Sequence, residues 1–184
     1  DGLAAGKGVV VALTLAEAED ALRDMLLDGT FGEGKVVVEE FLDGPEFSFM
    51  CIVNGTKIYP LAIARDHKRA YDHDRGPNTA GMGAYSPVPF VTEEIRRMAL
   101  DTIIRPVAEA MVDEGYPFTG VLYGGLILHR GVPKVIEFNA RFGDPETEVV
   151  LPRIESDFAQ LISAAVDGED CEICWLPETV LGVV

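Results

Sequence analysis

Two β-rich runs, "GVLYGGLILH" at residues 120–129 and "VPKVIEFNA" at residues 132–140, are separated only by Arg130 and Gly131. So short a connection joins strands only as an antiparallel hairpin, because a parallel return needs a crossover of a dozen residues or more. Other elements must therefore pack on an antiparallel sheet. A second hairpin is predicted from "EFSFMCIV" and "TKIYPLAIA", which meet at Asn54-Gly55, a two-residue turn signal. Phe47, Phe49, Cys51 and Val53 alternate along the first of these runs, which predicts a half-buried strand. "VVVA" from Val9 and "KVVVEEFL" at residues 35–42 read as further strands, the former entered from a loop in which Gly6 and Gly8 flank Lys7.

Helices punctuate these strands. Thr14 and Glu17 form a capping box ahead of Leu15, Ala18, Leu22 and Leu26 at helical spacing. Thr92 opens a long helix over residues 92–113, with Ile95, Met98, Ile103, Val107 and Met111 inward, Gly115 as its stop and Pro106 as a kink. Asp144-Pro145 predicts a cap and first turn for a short helix, and Ser156 caps another that stops at Gly168. Residues 66–87, "DHKRAYDHDRGPNTAGMGAYSP", sustain no period and read as a long functional loop. Helices scattered among antiparallel hairpins make the fold class α+β. Two lobes are expected, dividing near Ala64.

The 184 residues are 48% hydrophobic, enough for a real core. No apolar run approaches the roughly 20 residues of a membrane helix. A formal charge of −16 argues against nucleic acid or an anionic membrane as partner, since both need clustered cations. Three cysteines cannot build a disulfide framework, which points to a reducing, cytoplasmic setting. Cys171 and Cys174 lack the second ligand pair that zinc needs.

Alternation along "KVIEFNA" places Val135, Glu137 and Asn139 on one face and Ile136 and Phe138 on the other. Glu137 and Asn139 would stand roughly 6.5 to 7 Å apart at Cα. A carboxylate beside an amide oxygen suits a hard cation such as Mg²⁺, which keeps water and borrows phosphate oxygens; a merely solvated outer face gives the same pattern. Lys7 among its glycines suits phosphate, because glycine lets backbone N–H groups approach; it is equally a turn. In "EEFLDGPE" a strand end can hydrogen-bond a flat base, with Glu39, Glu40 and Glu46 near ribose hydroxyls, or form a solvated acidic edge. Arg65, His67, Lys68, Arg69 and Arg75 gather cations in the long loop of an otherwise acidic chain, which favours an anionic ligand. His67 and His73 read more simply as surface histidines. Jointly these parts describe a nucleotide held between two sheets.

The motifs "DGLAAGKGVVVA", "VVVEEFLDGPEFSFM", "DHKRAYDHDRGPNTAGMGAYSP", "FTGVLYGGLIL" and "KVIEFNARFGDPETEVVLPRIESD" closely resemble the phosphoribosylamine-glycine ligases, ATP-grasp enzymes of purine biosynthesis. The resemblance implies an ATP-grasp fold whose two antiparallel lobes sandwich the nucleotide: residues 1–64 as flap lobe, 65–174 as core lobe, and 175–184 as the start of a C-terminal domain. It implies Mg²⁺ or Mn²⁺ on Glu137 and Asn139, adenine along Glu39, Glu40, Phe41 and Leu42, and ribose on Glu46. Phosphates would lie under Lys7 and Gly8 and against Arg69 and Asn78. Lys68 and Arg141 would neutralise charge during phosphoryl transfer, and Asp66 would face glycine and the amine. The partners implied are ATP, glycine, 5-phosphoribosylamine and further N- and C-terminal domains of the same chain. Without those domains the 184 residues are expected to bind nucleotide but to form product inefficiently. Alternatives are another ATP-grasp carboxylate-amine ligase or carboxylase, or a nucleotide-binding module without turnover. Ala80 stands where the family usually has glycine.

Overall fold

Arg130 and Gly131 make the expected turn, with φ of 51° and 81°, the left-handed pair that a two-residue hairpin requires. In this computed structural model, which describes residues 9–28, 35–72 and 75–184 and only the backbone of Pro77 and Asn78, the turn joins β7 (Thr119–His129) to β8 (Val132–Asn139). The other edge of β7 pairs antiparallel with β1 (Glu46–Asn54), and β1 pairs in turn with β2 (Lys57–Pro60). The sheet order is β2-β1-β7-β8.

Burial corrects one expectation at once. Phe47, Phe49, Cys51 and Val53 do share a face, packed with Ala99, Ile104 and Leu126. Met50 and Ile52, on the opposite face, enter a second core with Leu61, Tyr123, Val149 and Leu161. Strand β1 is thus buried on both faces, because helices cover both sides of an interior strand.

The long helix is three pieces: α2 (Glu93–Ala99), a π-helical turn (Leu100–Ile104) and α3 (Arg105–Asp113). Thr92 caps it as expected, its hydroxyl accepting from the Ile95 N–H at 3.3 Å, and Gly115 follows its end with φ of 83°. In place of a simple kink at Pro106, the Arg105 N–H reaches back to the Leu100 carbonyl. The widened turn rotates Ile104 and Ala108 into the core beside Ile103, as an inserted residue must.

Residues 66–87 are not a structureless loop. They contain β3 (Arg65–Asp66), β4 (Arg69–Tyr71), β5 (Arg75–Asn78) and β6 (Gly83–Ser86). Strands β4 and β5 pair with each other, while β3, β6 and β9 (Val180–Val183) form a three-stranded sheet. The pairings are too short to leave a periodic trace in the sequence.

Three helix and strand expectations shift. The short helix α4 (Thr147–Val150) takes Glu146 as N-cap and shows no side-chain cap bond, so Asp144 does not cap it. Helix α5 (Phe158–Asp167) is capped by Asp157, one residue beyond Ser156, and ends at Gly168 in the left-handed region; the Ser156 hydroxyl accepts from the Cys174 N–H instead. Neither residues 9–12 nor residues 35–42 form a strand, and no ladder involves them among the described residues. A β-rich run without a partner gains none of the hydrogen bonds that define a strand.

The chain divides into compact units at Leu42 and Asp43, not near Ala64. Residues 43–64 belong to the larger unit because β1 pairs with β7 along its whole length. Residues 175–184 also join that unit: Leu176 bonds the Arg153 carbonyl and β9 pairs with β6. Within the smaller unit, α1 (Leu15–Leu26) shows both halves of the Thr14–Glu17 capping box. Among the described residues no helix is long and apolar enough to cross a membrane.

Phe49 is fully buried at the centre of the first core. Truncation by Phe49→Ala is expected to lower the unfolding free energy by about 3–5 kcal/mol, read from urea denaturation monitored by circular dichroism.

Candidate functional site

Where β1, β7 and β8 run side by side, their ends border a narrow cleft of about 10 Å³. Glu46 and Ser48 enter from β1, Asp66 from β3, Gly125 from β7 and Glu137 from β8, with Lys68 at the rim. A larger hollow of about 540 Å³ runs along α5 past Asp157, Asp167, Glu169 and Glu172. Acids line it with no basic side chain, and it holds none of the residues predicted to bind nucleotide, metal or substrate, so the smaller cleft is the candidate site.

Register determines the metal-strand geometry. Gly125 pairs with Glu137 but Leu126 pairs with Val135, which leaves Ile136 as an extra residue, a β-bulge. Strict alternation therefore fails between Val135 and Glu137, and Ile136 lines the same cleft as Glu137. The predicted apolar face is not buried either: Ile136 is 47% and Phe138 38% exposed. Beyond the bulge alternation resumes, and Asn139 Nδ2 donates to Glu137 Oε1 at 3.2 Å. The carboxylate and amide that the sequence paired do stand together. Gly125 makes room for them, since a side chain there would lie 3.0 Å from Glu137 Cγ.

Asp66 is nearly buried and sits 3.7 Å from Lys68 Nζ. Burial pushes its carboxyl up from the ordinary aspartate range, opposed by Lys68 and reinforced by the Glu146 charge. The cleft concentrates Glu46, Asp66 and Glu137 around a single lysine, a field that draws cations.

The residue that sequence reasoning missed is Glu146. It follows the Asp144-Pro145 pair and carries no periodic signal of its own, yet it is 2% exposed. Its Oε1 accepts from the Ser48 hydroxyl at 2.7 Å and the Tyr123 phenol at 2.6 Å, and those two hydroxyls lie 2.9 Å apart. The signal was present in the polar hydroxyls of Ser48 and Tyr123 inside core strands, since buried hydroxyls need partners. Arg141 stands over this triangle, its guanidinium carbon 6.0 Å from the centre of the Tyr123 ring and its Nη1 bonded to the Phe142 carbonyl at 2.8 Å.

The remaining candidates are dispersed. Arg69 Nη1 donates to the Gly76 carbonyl at 2.8 Å, which closes the β4–β5 turn and does not bring it to the cleft. Asn78 pairs with Arg69 in that ladder, but its side chain lies outside the described part. Glu39, Glu40, Phe41 and Leu42 belong to the smaller unit, where Phe41 is exposed. Lys7, Gly8 and His73 lie outside the described residues. His67 packs against Tyr85, ring centres 6.0 Å apart. Ala80 does not have the positive φ that would demand glycine, so the substitution costs the loop no backbone strain.

Residues 1–147 match the family model described as phosphoribosylglycinamide synthetase, ATP-grasp (A) domain. The chain is 60% identical to the phosphoribosylamine–glycine ligase of Listeria innocua, over 100% of this chain and 44% of that protein. The ligase of the same name from Xanthomonas campestris is 54% identical over the same shares. The chain thus spans less than half the length of these relatives. The crystal structure of phosphoribosylamine–glycine ligase from Thermotoga maritima superposes with a TM-score of 0.82 at 36% identity, covering 94% of this chain and 44% of that one. Biotin carboxylase from Campylobacter jejuni shares the fold at 17% identity, with a TM-score of 0.63 over 92% of this chain and 37% of its own.

Tyr123 provides a test of the buried triangle. Burial foremost, then the charge and hydrogen bond of Glu146, hold its phenol well above the ordinary tyrosine range. The stability associated with the neutral phenol is complete below about pH 10 and is lost as pH rises from there towards the folded-state value. Tyr123→Phe is therefore expected to leave the folded protein's phenolate absorbance unchanged between about pH 9 and 11; a smaller signal would show that Tyr123 ionises freely.

Proposed function

The chain belongs to the phosphoribosylglycinamide synthetase ATP-grasp (A) domain family, and on that premise we propose that it forms the nucleotide and metal site of a ligase joining glycine to 5-phosphoribosylamine. The reaction would be carried by the longer protein, since the chain corresponds to 44% of its relatives. The observation that supports this most directly is the Glu137–Asn139 pair in an acidic cleft beside Lys68.

The donor set fits a hard divalent cation. Two carboxylate oxygens and an amide oxygen on adjacent side chains suit Mg²⁺ or Mn²⁺, and a thiolate or imidazole, which would favour a softer ion, does not line the cleft. Glu137 and Asn139 would hold the ion, which would supply positive charge to neutralise the phosphoryl group.

ATP transfers its γ-phosphoryl group to the glycine carboxylate, releasing ADP and leaving glycyl phosphate. The amine of 5-phosphoribosylamine then attacks the acyl carbon, phosphate leaves, and the amine proton passes to a base or water. In such transfers the protein acts mainly by positioning and by neutralising spread charge. Lys68 and Arg141 supply cations for the phosphoryl oxygens. Asp66, its carboxyl pushed above the ordinary aspartate range by burial, faces the glycine and amine end. Glu46 serves ribose, Glu39, Glu40, Phe41 and Leu42 serve the base, and Lys7, Gly8, Arg69 and Asn78 serve the phosphates, by the family resemblance. ATP chemistry and unpaired thiols fit a cytoplasmic location.

The test uses the full-length protein with glycine, ATP and phosphoribosylamine, reading glycine-dependent ADP release. Glu137→Gln keeps the shape and removes the charge; kcat is expected to fall at least about a hundredfold. An unimpaired Glu137→Gln enzyme would sink the metal assignment, and ADP release indifferent to glycine would sink the ligase reading.

A further inference from the structure

The Glu146 triangle does more than satisfy two hydroxyls. Ser48 lies on β1 and Tyr123 on β7, while Glu146 ends the segment that leaves the metal strand at Asn139 and carries Arg141. Three hydrogen bonds fasten that segment to the sheet. The Gly143 N–H donates to Met50 Sδ at 3.2 Å, and Glu146 Oε1 receives the Ser48 and Tyr123 hydroxyls. Gly143 is pressed so closely against Glu146 and Tyr123 that a side chain would collide with both. The Tyr123 ring, held at its hydroxyl end, is the surface over which the Arg141 guanidinium rests.

We propose that Glu146 is a positioning residue for the ligase: by clamping the Tyr123 phenol it fixes the ring that supports Arg141, and so sets the distance between that guanidinium and the transferring phosphoryl group. The inference rests on the ligase reading above, in which Arg141 touches phosphoryl oxygens. Glu146 itself is 2% exposed and touches no substrate. Its contribution is geometric, and phosphoryl transfer is sensitive to geometry because little covalent chemistry falls to the protein. An Arg141 released from its platform would still be a cation, but a misplaced one.

The role separates from simple stabilisation and from a direct charge effect through two substitutions in the full-length protein. Glu146→Ala removes the clamp. Glu146→Gln keeps an oxygen that accepts from both hydroxyls while losing the charge. Expected for Glu146→Ala is a kcat, normalised to folded protein, about tenfold to a hundredfold lower with KM for ATP held within about threefold. Glu146→Gln should recover most of the lost kcat. Full specific activity in folded Glu146→Ala would overturn the proposal in favour of a structural role. A Glu146→Gln enzyme as impaired as Glu146→Ala would overturn it in favour of a charge acting directly. If Glu146→Ala does not fold, Tyr123→Phe removes half of the same clamp and must show the same fall in kcat at unchanged KM for ATP; an unaffected Tyr123→Phe enzyme overturns the proposal. A wild-type protein that does not turn over glycine overturns the ligase reading itself, a result recognisable without any variant.

Discussion

The site depends on β7 being hydrogen-bonded along both edges. Its pairing with β1 brings Ser48 opposite Gly125 and Met50 opposite Tyr123. Its pairing with β8 brings Gly125 opposite Glu137 and Tyr123 opposite Asn139. Two neighbouring positions of one strand thereby gather the hydroxyls, the carboxylate and the amide from three parts of the chain. Glycine at 125 suits the arrangement, because a Cβ there would lie 3.0 Å from Glu137 Cγ and press on it. A slip of one residue in either ladder would send each of these groups to the opposite face.

Charge is distributed as such a cleft demands. The chain carries a net −16, and its acids would repel an anionic substrate if they were evenly spread. Glu46, Asp66 and Glu137 instead surround Lys68, with Arg141 on the Tyr123 ring. Burial raises the Asp66 carboxyl and the Glu146 charge adds to it, while Glu146 is compensated by two hydroxyl donors. Hydrogen bonds from neutral groups let a buried carboxylate persist where an uncompensated one would be strongly disfavoured.

Much of this was legible beforehand, for identifiable reasons. The Arg130-Gly131 hairpin, the Thr14 and Thr92 caps and the Gly168 stop are encoded within a few residues, where backbone conformation and one side chain suffice. The Glu137–Asn139 pair was legible because alternation survives on the far side of the bulge. Ile136 was misplaced because a bulge is decided by the partner strand, not by the strand that contains it. The strands expected at residues 9–12 and 35–42 failed for a related reason, since β-propensity describes a segment and a strand is a relation between two. Pro106 correctly announced a disturbance, but the core selected a π turn as its form.

The sequence by itself determined local conformation, the antiparallel class and the residue types able to hold a cation and phosphates, because those follow from spacing and side-chain chemistry. Only the tertiary structure decided what Glu146 does. Its partners, Ser48 and Tyr123, lie 98 and 23 residues away along the chain, and no periodicity connects them. A buried carboxylate finds its donors only once β1 and β7 have paired, which makes its role a property of the register.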